Sequence, residues 1–379
     1  MPFLNAFKGK RVLITGHTGF KGSWLTAWLL ELGAKVAGYA LPPAGPTPLF
    51  DQLGLASRID HECGDIRDLT TLSRRVREYA PEFVFHLAAQ PLVRLAYREP
   101  VETYAVNVMG TVNVLEAVRI SGRACTVVCV TTDKCYENRE WVHSYRETDP
   151  LGGRDPYSSS KAAAEIVARA YRDSFFEGKM DDLRLATARS GNVIGGGDWA
   201  EDRIVPDCIR ALQQGVAVTV RNRKATRPWQ HVLEPLSGYL ELAASLHRAG
   251  ARSSLASAFN FGPPLSSNRT VGDLAGEILK HWPGTWIDRT DPGAPHEATL
   301  LNLSVDKAHH ILGWRPIWSF EETVAQTVAW YRHAIDCPKM VPHFTFAQIA
   351  AYVEAASLAG VTWGADEQGN GCEDRIQKP

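Results

Sequence analysis

Three glycines at three-residue spacing do most to limit the folds open to this chain. Gly16, Gly19 and Gly22 fall in Thr15-Gly16-His17-Thr18-Gly19-Phe20-Lys21-Gly22. The apolar run Arg11-Val12-Leu13-Ile14-Thr15 precedes them, and an amphipathic stretch from Ser23 to Leu32, closed by Gly33, follows. This reads as strand, tight turn and helix. Glycines at such a junction let the backbone approach a pyrophosphate closely, and the helix start offers unpaired N–H groups with a partial positive charge. Any tight turn also uses glycine, so the position after a first strand is what carries the inference. Gly16, His17, Thr18, Gly19, Phe20, Lys21 and Gly22 are the expected dinucleotide contacts.

The alternation continues beyond this unit. Val36 to Leu41, Phe83 to Leu87 and Cys125 to Thr131 are short apolar strands of the kind buried on both faces, and a third strand is expected to end before Asp65. Val101 to Val118 and Ser158 to Phe175 carry helical periodicity. The expected fold is α/β, a doubly wound parallel Rossmann sheet with a smaller, loop-rich C-terminal substrate lobe. Residues 1–190 form the dinucleotide domain, joined by a returning strand near 258–262. Residues 191–365 are mainly the substrate lobe, interleaved with the first, because Gly195-Gly196-Gly197-Asp198-Trp199 and Arg227-Pro228-Trp229-Gln230-His231 break regularity. Residues 366–379 are polar and Gly-rich, an expected mobile tail.

In such a sheet the ligand crevice lies at the carboxyl ends of the strands. Asp65, Ile66, Leu87, Ala88, Ala89 and Gln90 fall there, where adenine and ribose contacts occur. The acidic residue expected roughly 20 positions after the glycines is missing, since the second strand ends Gly38-Tyr39-Ala40-Leu41. No arginine stands near that end to take a 2′-phosphate, the next being Arg58, so NAD is favoured over NADP.

Composition excludes several other classes. The 42 acidic and 41 basic residues nearly cancel, so no global field favours nucleic acid or an anionic membrane. No apolar run approaches the roughly 20 residues of a membrane span, and the opening residues do not resemble a signal peptide, which makes a cytoplasmic location the expectation. The seven cysteines are scattered without a Cys-x-x-Cys pair, so neither a disulfide framework nor a metal site is expected.

Tyr157 and Lys161, four apart at a helix start, project from one face. An ammonium beside a phenol favours the phenolate, so the pair is suited to removing a hydroxyl proton while a hydride leaves the same carbon. With 11 tyrosines in the chain the spacing alone is cheap, and its place after alternating strands and helices gives it weight. Thr131-Thr132-Asp133-Lys134 follows a strand end and adds a hydroxyl, an acid and an amine, more than simple dehydrogenation needs. Asn138-Arg139-Glu140-Trp141 and Tyr145-Arg146-Glu147 read as surface loop.

From Gly9 to about Tyr331 the chain resembles the extended short-chain dehydrogenase/reductases that modify nucleoside-diphosphate sugars. The segments that carry the likeness run in family order: 15–25, 86–94, 131–141, 155–161, 191–203, 227–239, 295–298 and 312–316. Lys134 after Asp133 resembles the branch acting on CDP-glucose, whereas the GDP-mannose and dTDP-glucose branches usually place glutamate there. The resemblance implies a 4,6-dehydratase of deoxysugar biosynthesis that uses NAD. Tyr157 takes the 4-hydroxyl proton, Thr132 hydrogen-bonds that hydroxyl, Lys161 holds phenolate and nicotinamide ribose, and Asp133 protonates the departing 6-hydroxyl. Lys134 is either the carbon 5 base or a cation that stabilises the enolate. Thr131, Ser190, Asn192 and Val193 match cofactor positions, Asn192 also facing sugar, and Arg203, Arg227 and His296 match the substrate lobe. It also implies a homodimer or tetramer through the helices near Tyr104 to Val118 and Tyr157 to Phe175. A 4-epimerase or decarboxylase shares the glycines and the Tyr157 and Lys161 pair, and a silent NAD-sensing scaffold shares the fold.

Overall fold

The inner strands of the central sheet serve two cores at once, because successive side chains point to opposite faces. The computed structural model describes residues 3, 5–176, 182–250, 253–290 and 300–361. Seven strands pair: β1 (Arg11–Thr15), β2 (Lys35–Ala40), β3 (Asp60–Cys63), β4 (Phe83–His86), β5 (Cys125–Val130), β6 (Leu183–Arg189) and β7 (Ala258–Asn260). Their order is β7-β6-β5-β4-β1-β2-β3, parallel throughout, with Val12 of β1 opposite Val36 of β2 on one side and Phe83 of β4 on the other. Val12 and Ile14 enter one hydrophobic layer with Trp24, Leu25 and Trp28 of α1 (Phe20–Glu31), while Leu13 enters the opposite layer with Leu72, Leu115 and Ala168. This is the expected doubly wound arrangement. The chain runs outward from β1 to β3, then restarts at β4 and runs the other way, so a crevice opens at the carboxyl ends of β1 and β4.

Two helices border that crevice with interruptions that periodicity did not reveal. The first runs as α2 (Pro100–Tyr104), a π turn over Ala105–Met109, and α3 (Gly110–Ser121). The π turn sets Asn107 to accept from the Gln90 backbone N–H at 2.8 Å and to donate to Ser160 Oγ at 2.9 Å. The second, α4 (Pro156–Tyr171), ends in another π turn, Arg172–Phe176.

The expected loop-rich lobe is helix-rich. It contains α5 (Ile204–Gln213) and helices Val271–His281, Phe320–Asp336 and Val341–Leu358, with three two-stranded pairings between them. Segment 191–365 also returns a helix to the first domain: α6 (Leu233–Ala249) lies on the sheet, its His247 ring 4.5 Å from that of Phe83 and its Nδ1 3.0 Å from Thr126 Oγ1. Pro235 and Gly238 disguise α6 in the sequence. Pro235 is the third helical residue, where a missing N–H forfeits no bond. Gly238 admits Phe261, whose ring would lie 2.2 Å from an added Cβ. The expected tail at 366–379 lies outside the described residues, among which no helix is long and apolar enough to cross a membrane.

Candidate active site

Only glycine fits at two positions of the turn after β1. A Cβ on Gly16, at φ +78°, would lie 2.6 Å from the Ala88 backbone nitrogen, and one on Gly22 would lie 2.1 Å from the Gly16 carbonyl oxygen. The turn is thereby pressed against the end of β4. Gly19, in extended conformation, starts α1 without a side-chain cap, leaving the first-turn N–H groups for a ligand. They open on a cavity of about 630 Å³ lined by Gly16, Thr18, Gly19, Phe20, Lys21 and Gly22. Asp65, Ile66, Leu87, Ala88 and Ala89 continue the wall, and the end of β2 contributes Ala40 and Leu41. A dinucleotide fits this wall: an anion cradle beside an apolar slot, with the next titratable groups further along.

Some expected contacts point elsewhere. The His17 ring is fully buried behind the turn, 2.7 Å from His61 Nδ1, against the face of Gly38 where a Cβ would sit 2.3 Å away. Burial, then the neighbouring His61 and Arg75, lowers its pKa to about 3, so it is neutral. Gln90 also leaves the cavity wall; its amide donates to Thr103 Oγ1 at 2.9 Å and braces the loop after β4. Thr131 lines the cavity but donates its hydroxyl inward to Glu165 Oε1. The Asp65 carboxylate is taken by Arg67. His296 lies outside the described residues.

At the other end of the cavity, Asp155 caps α4 by accepting from Ser158 N at 2.9 Å, and Pro156 starts the helix. Tyr157 and Lys161 therefore stand one turn apart in the cavity wall, beside Thr132, Asp133 and Lys134 from the turn after β5. The Thr132 hydroxyl donates to Asp133 Oδ1 at 2.9 Å, and Lys161 Nζ donates to the Val130 carbonyl at 3.3 Å. The expected lowering of the phenol by Lys161 is not what the chain's own groups produce. Burial pushes Tyr157 up to about 12, against the pull of Thr132 and Arg203, and burial lowers Lys161 to about 8.

Asp133 is buried and held by two side chains. It is 1% exposed and accepts from Thr132 Oγ1 and Asn192 Nδ2, each at 2.9 Å. Asn192 reaches it from a left-handed conformation, φ +51°, that asparagine tolerates. A Cβ on Gly191 would strike the carboxylate at 2.0 Å. Ser190, Val193, Arg203 and Arg227 also line the cavity, Arg203 paired with Asp198 at 2.6 Å.

A profile of the GDP-mannose 4,6 dehydratase family matches residues 13–249. A CDP-glucose 4,6-dehydratase of Salmonella typhimurium is 48% identical over 333 residues, covering 86% of this chain and 92% of the relative. The chain belongs to the GDP-mannose 4,6 dehydratase family. A dTDP-glucose 4,6-dehydratase of Xanthomonas campestris is 26% identical, covering 84% of this chain and 92% of the relative. Among solved structures, DesIV, the dTDP-glucose 4,6-dehydratase of Streptomyces venezuelae with NAD bound, superposes with a TM-score of 0.74 at 26% identity, covering 87% of this chain and 99% of that one. The UDP-glucose 4-epimerase of Thermus thermophilus in complex with NAD gives 0.72 at 27% identity, covering 86% and 99%.

Within this family member, several cavity residues escaped sequence reasoning. Arg94, Arg98, Arg221 and Asp202 line the mouth, with Asp202 between Arg221 at 2.5 Å and Arg94 at 3.4 Å. Isolated charges in irregular segments carry no periodic signal. The buried pair of Glu165 and Arg189, 2.8 Å apart, was missed too, although an acid one turn after Lys161 on an apolar helix face was a signal. The segments read as surface loop keep Arg139 and Arg146 exposed but send Tyr145 and Glu147 inward. Tyr145 is buried and stacked on Tyr136 with centroids 5.2 Å apart, its hydroxyl accepts from Arg139 N at 2.7 Å, and Glu147 accepts from Asn260 N at 2.8 Å. They clamp the turn that carries Asp133.

Proposed function

We propose that this chain converts CDP-glucose to CDP-4-keto-6-deoxyglucose and water, as an NAD-dependent 4,6-dehydratase supplying deoxysugar synthesis. The observation that carries this is the convergence of Tyr157, Lys161, Thr132 and a cradled Asp133 in one cavity of a chain 48% identical to a CDP-glucose 4,6-dehydratase. An epimerase needs the first pair but has no use for a buried acid held by Asn192.

The uncapped start of α1 binds the cofactor's pyrophosphate, and Asp65, Ile66, Leu87, Ala88 and Ala89 wall its adenosine end. NAD held there would supply the acceptor for the carbon 4 hydride and the donor of that hydride to carbon 6. Tyr157 Oη takes the proton of the 4-hydroxyl; Thr132 and Arg203 are the groups that pull its phenol back toward phenolate, and Lys161 orients it. Carbon 5, now beside a carbonyl, gives its proton to Lys134, or to solvent water if Lys134 instead stabilises the enolate as a cation, and it takes a proton back from the same acceptor when hydride reaches carbon 6. Asp133 gives a proton to the departing 6-hydroxyl, and the proton held on Tyr157 balances it. Arg203 and Arg227 bind the substrate diphosphate. The protein acts in the cytoplasm as a homodimer.

Turnover on a panel of nucleoside-diphosphate hexoses tests this reading. A 4-keto-6-deoxy product should form from CDP-glucose without stoichiometric consumption of added NAD. NADH accumulating mole for mole with product would overturn it.

A further inference from the structure

Lys21 belongs to the glycine turn by sequence but not by where its side chain goes. Instead of remaining at the pyrophosphate cradle, it crosses the crevice toward the end of β6 and donates to Ser190 Oγ at 3.2 Å. Ser190 Oγ is itself bonded to the Tyr239 hydroxyl, and the Lys21 ammonium lies 6.0 Å from the Tyr239 ring centroid. It is half-buried in the cavity wall and forms no ion pair among the described residues. The groups that act on it are the cations Arg203 and Lys161 and the acids Asp133 and Asp198, with Tyr157 adjoining Tyr239.

This location fixes what the lysine meets. A hydride leaves the carbon whose hydroxyl gives its proton to Tyr157, so the nicotinamide must adjoin Tyr157 and the strand end bearing Ser190. We propose that Lys21 is the residue that distinguishes oxidised from reduced cofactor: uncharged beside the cationic ring of NAD, and protonated beside the neutral ring of NADH. Lys21 takes that proton from solvent water and returns it there, and no electron passes through the amine. The inference rests on the cofactor reading above.

The physical basis is that a second positive charge against the oxidised ring is repelled, whereas beside the neutral ring it is not. Enclosure in the cleft, followed by Arg203, already lowers Lys21 to about 7, so little energy is needed to move it either way at neutral pH. The nearby acids Asp133 and Asp198 oppose this without cancelling it.

Dissociation constants for NAD and NADH, measured by calorimetry or fluorescence between pH 6 and 9 without sugar nucleotide, test the proposal. In the wild type the ratio of the NAD constant to the NADH constant should rise as pH falls, by up to about tenfold per unit below neutrality, the limit for one linked proton. Lys21→Met should flatten that ratio and hold it at its high-pH value, while Lys21→Arg, permanently charged, should flatten it at the low-pH value. A Lys21→Met ratio that follows the wild-type curve overturns the proposal. Thermal melting confirms that each variant is folded. If the wild type binds neither dinucleotide, the cofactor reading itself falls, and this one with it.

Discussion

Asp133 is where the arrangement of single residues has the sharpest consequence. Its carboxylate is fixed by Thr132 and Asn192 beside Tyr157, the phenol proposed above to take the first proton, so the two half-reactions should separate by substitution. Asp133→Asn preserves shape but cannot give a carboxylic proton, and product formation should fall by about 10²- to 10⁴-fold. Reduced nicotinamide should then build up on rapid mixing with CDP-glucose, whereas Tyr157→Phe should show none. Product at the wild-type rate from Asp133→Asn would remove it from the role of acid. Gly191→Ala should mimic the loss without touching any proton, because its Cβ would occupy space 2.0 Å from the carboxylate, and an unchanged kcat would contradict the cradle. These residues were legible in the sequence because a doubly wound sheet brings every strand end to one crevice. Side-chain direction was not. His17 and Lys21 flank the same glycine, yet one turns behind the sheet and the other crosses the cavity, which depends on Gly38 and Ser190 far along the chain.

At the level of elements, β1, β2, β4 and β5 announced themselves by apolar runs, the polar edge strand β3 did not, and α6 did not because Pro235 and Gly238 break its pattern. Its first turn is nonetheless the joint of the second lobe. Glu234 is fully enclosed, accepts from Trp318 N at 2.7 Å and from the Tyr352 hydroxyl at 2.6 Å, and so ties three segments together. Burial raises its pKa to about 7, above the ordinary 4.5, against the pull of those hydrogen bonds. The folded state therefore binds more protons than the unfolded chain between those values, and this group's stabilisation is lost as pH rises through about 7. Urea unfolding at pH 5 and pH 8 should show wild type losing more stability across the interval than Glu234→Gln, by on the order of 2 kcal/mol. Parallel losses in the two proteins would show that Glu234 is ionised at both pH values.

At the scale of the whole molecule, the described residues leave large apolar side chains exposed on α2 and on α4, the helix that bears Tyr157 and Lys161. Val101 of α2 is 81% exposed and Ile166 of α4 is 58% exposed; Tyr97, Tyr104, Met109 and Phe175 are exposed as well. Tyr104 Oη lies 2.6 Å from Ser159 Oγ, so α2 and α4 form one continuous face, and Ser159 sits between Tyr157 and Lys161. A patch of large apolar side chains on two adjacent helices is the kind of surface that a second copy covers, the two pairs then packing as four helices. Near-neutral net charge, −1 for the chain, offers no repulsion against this. Light scattering at micromolar concentration should give twice the 41.8 kDa chain mass. Replacing Val101 and Ile166 together by Asp places two unpaired charges where the partner would sit, so the mass should halve. Helix α4 would then lose its outer support, and both melting temperature and turnover should fall while the cavity residues remain unchanged in sequence. A wild type that scatters as a single chain would show that this face is not an interface, and would leave its exposed valine, isoleucine and tyrosines to another partner.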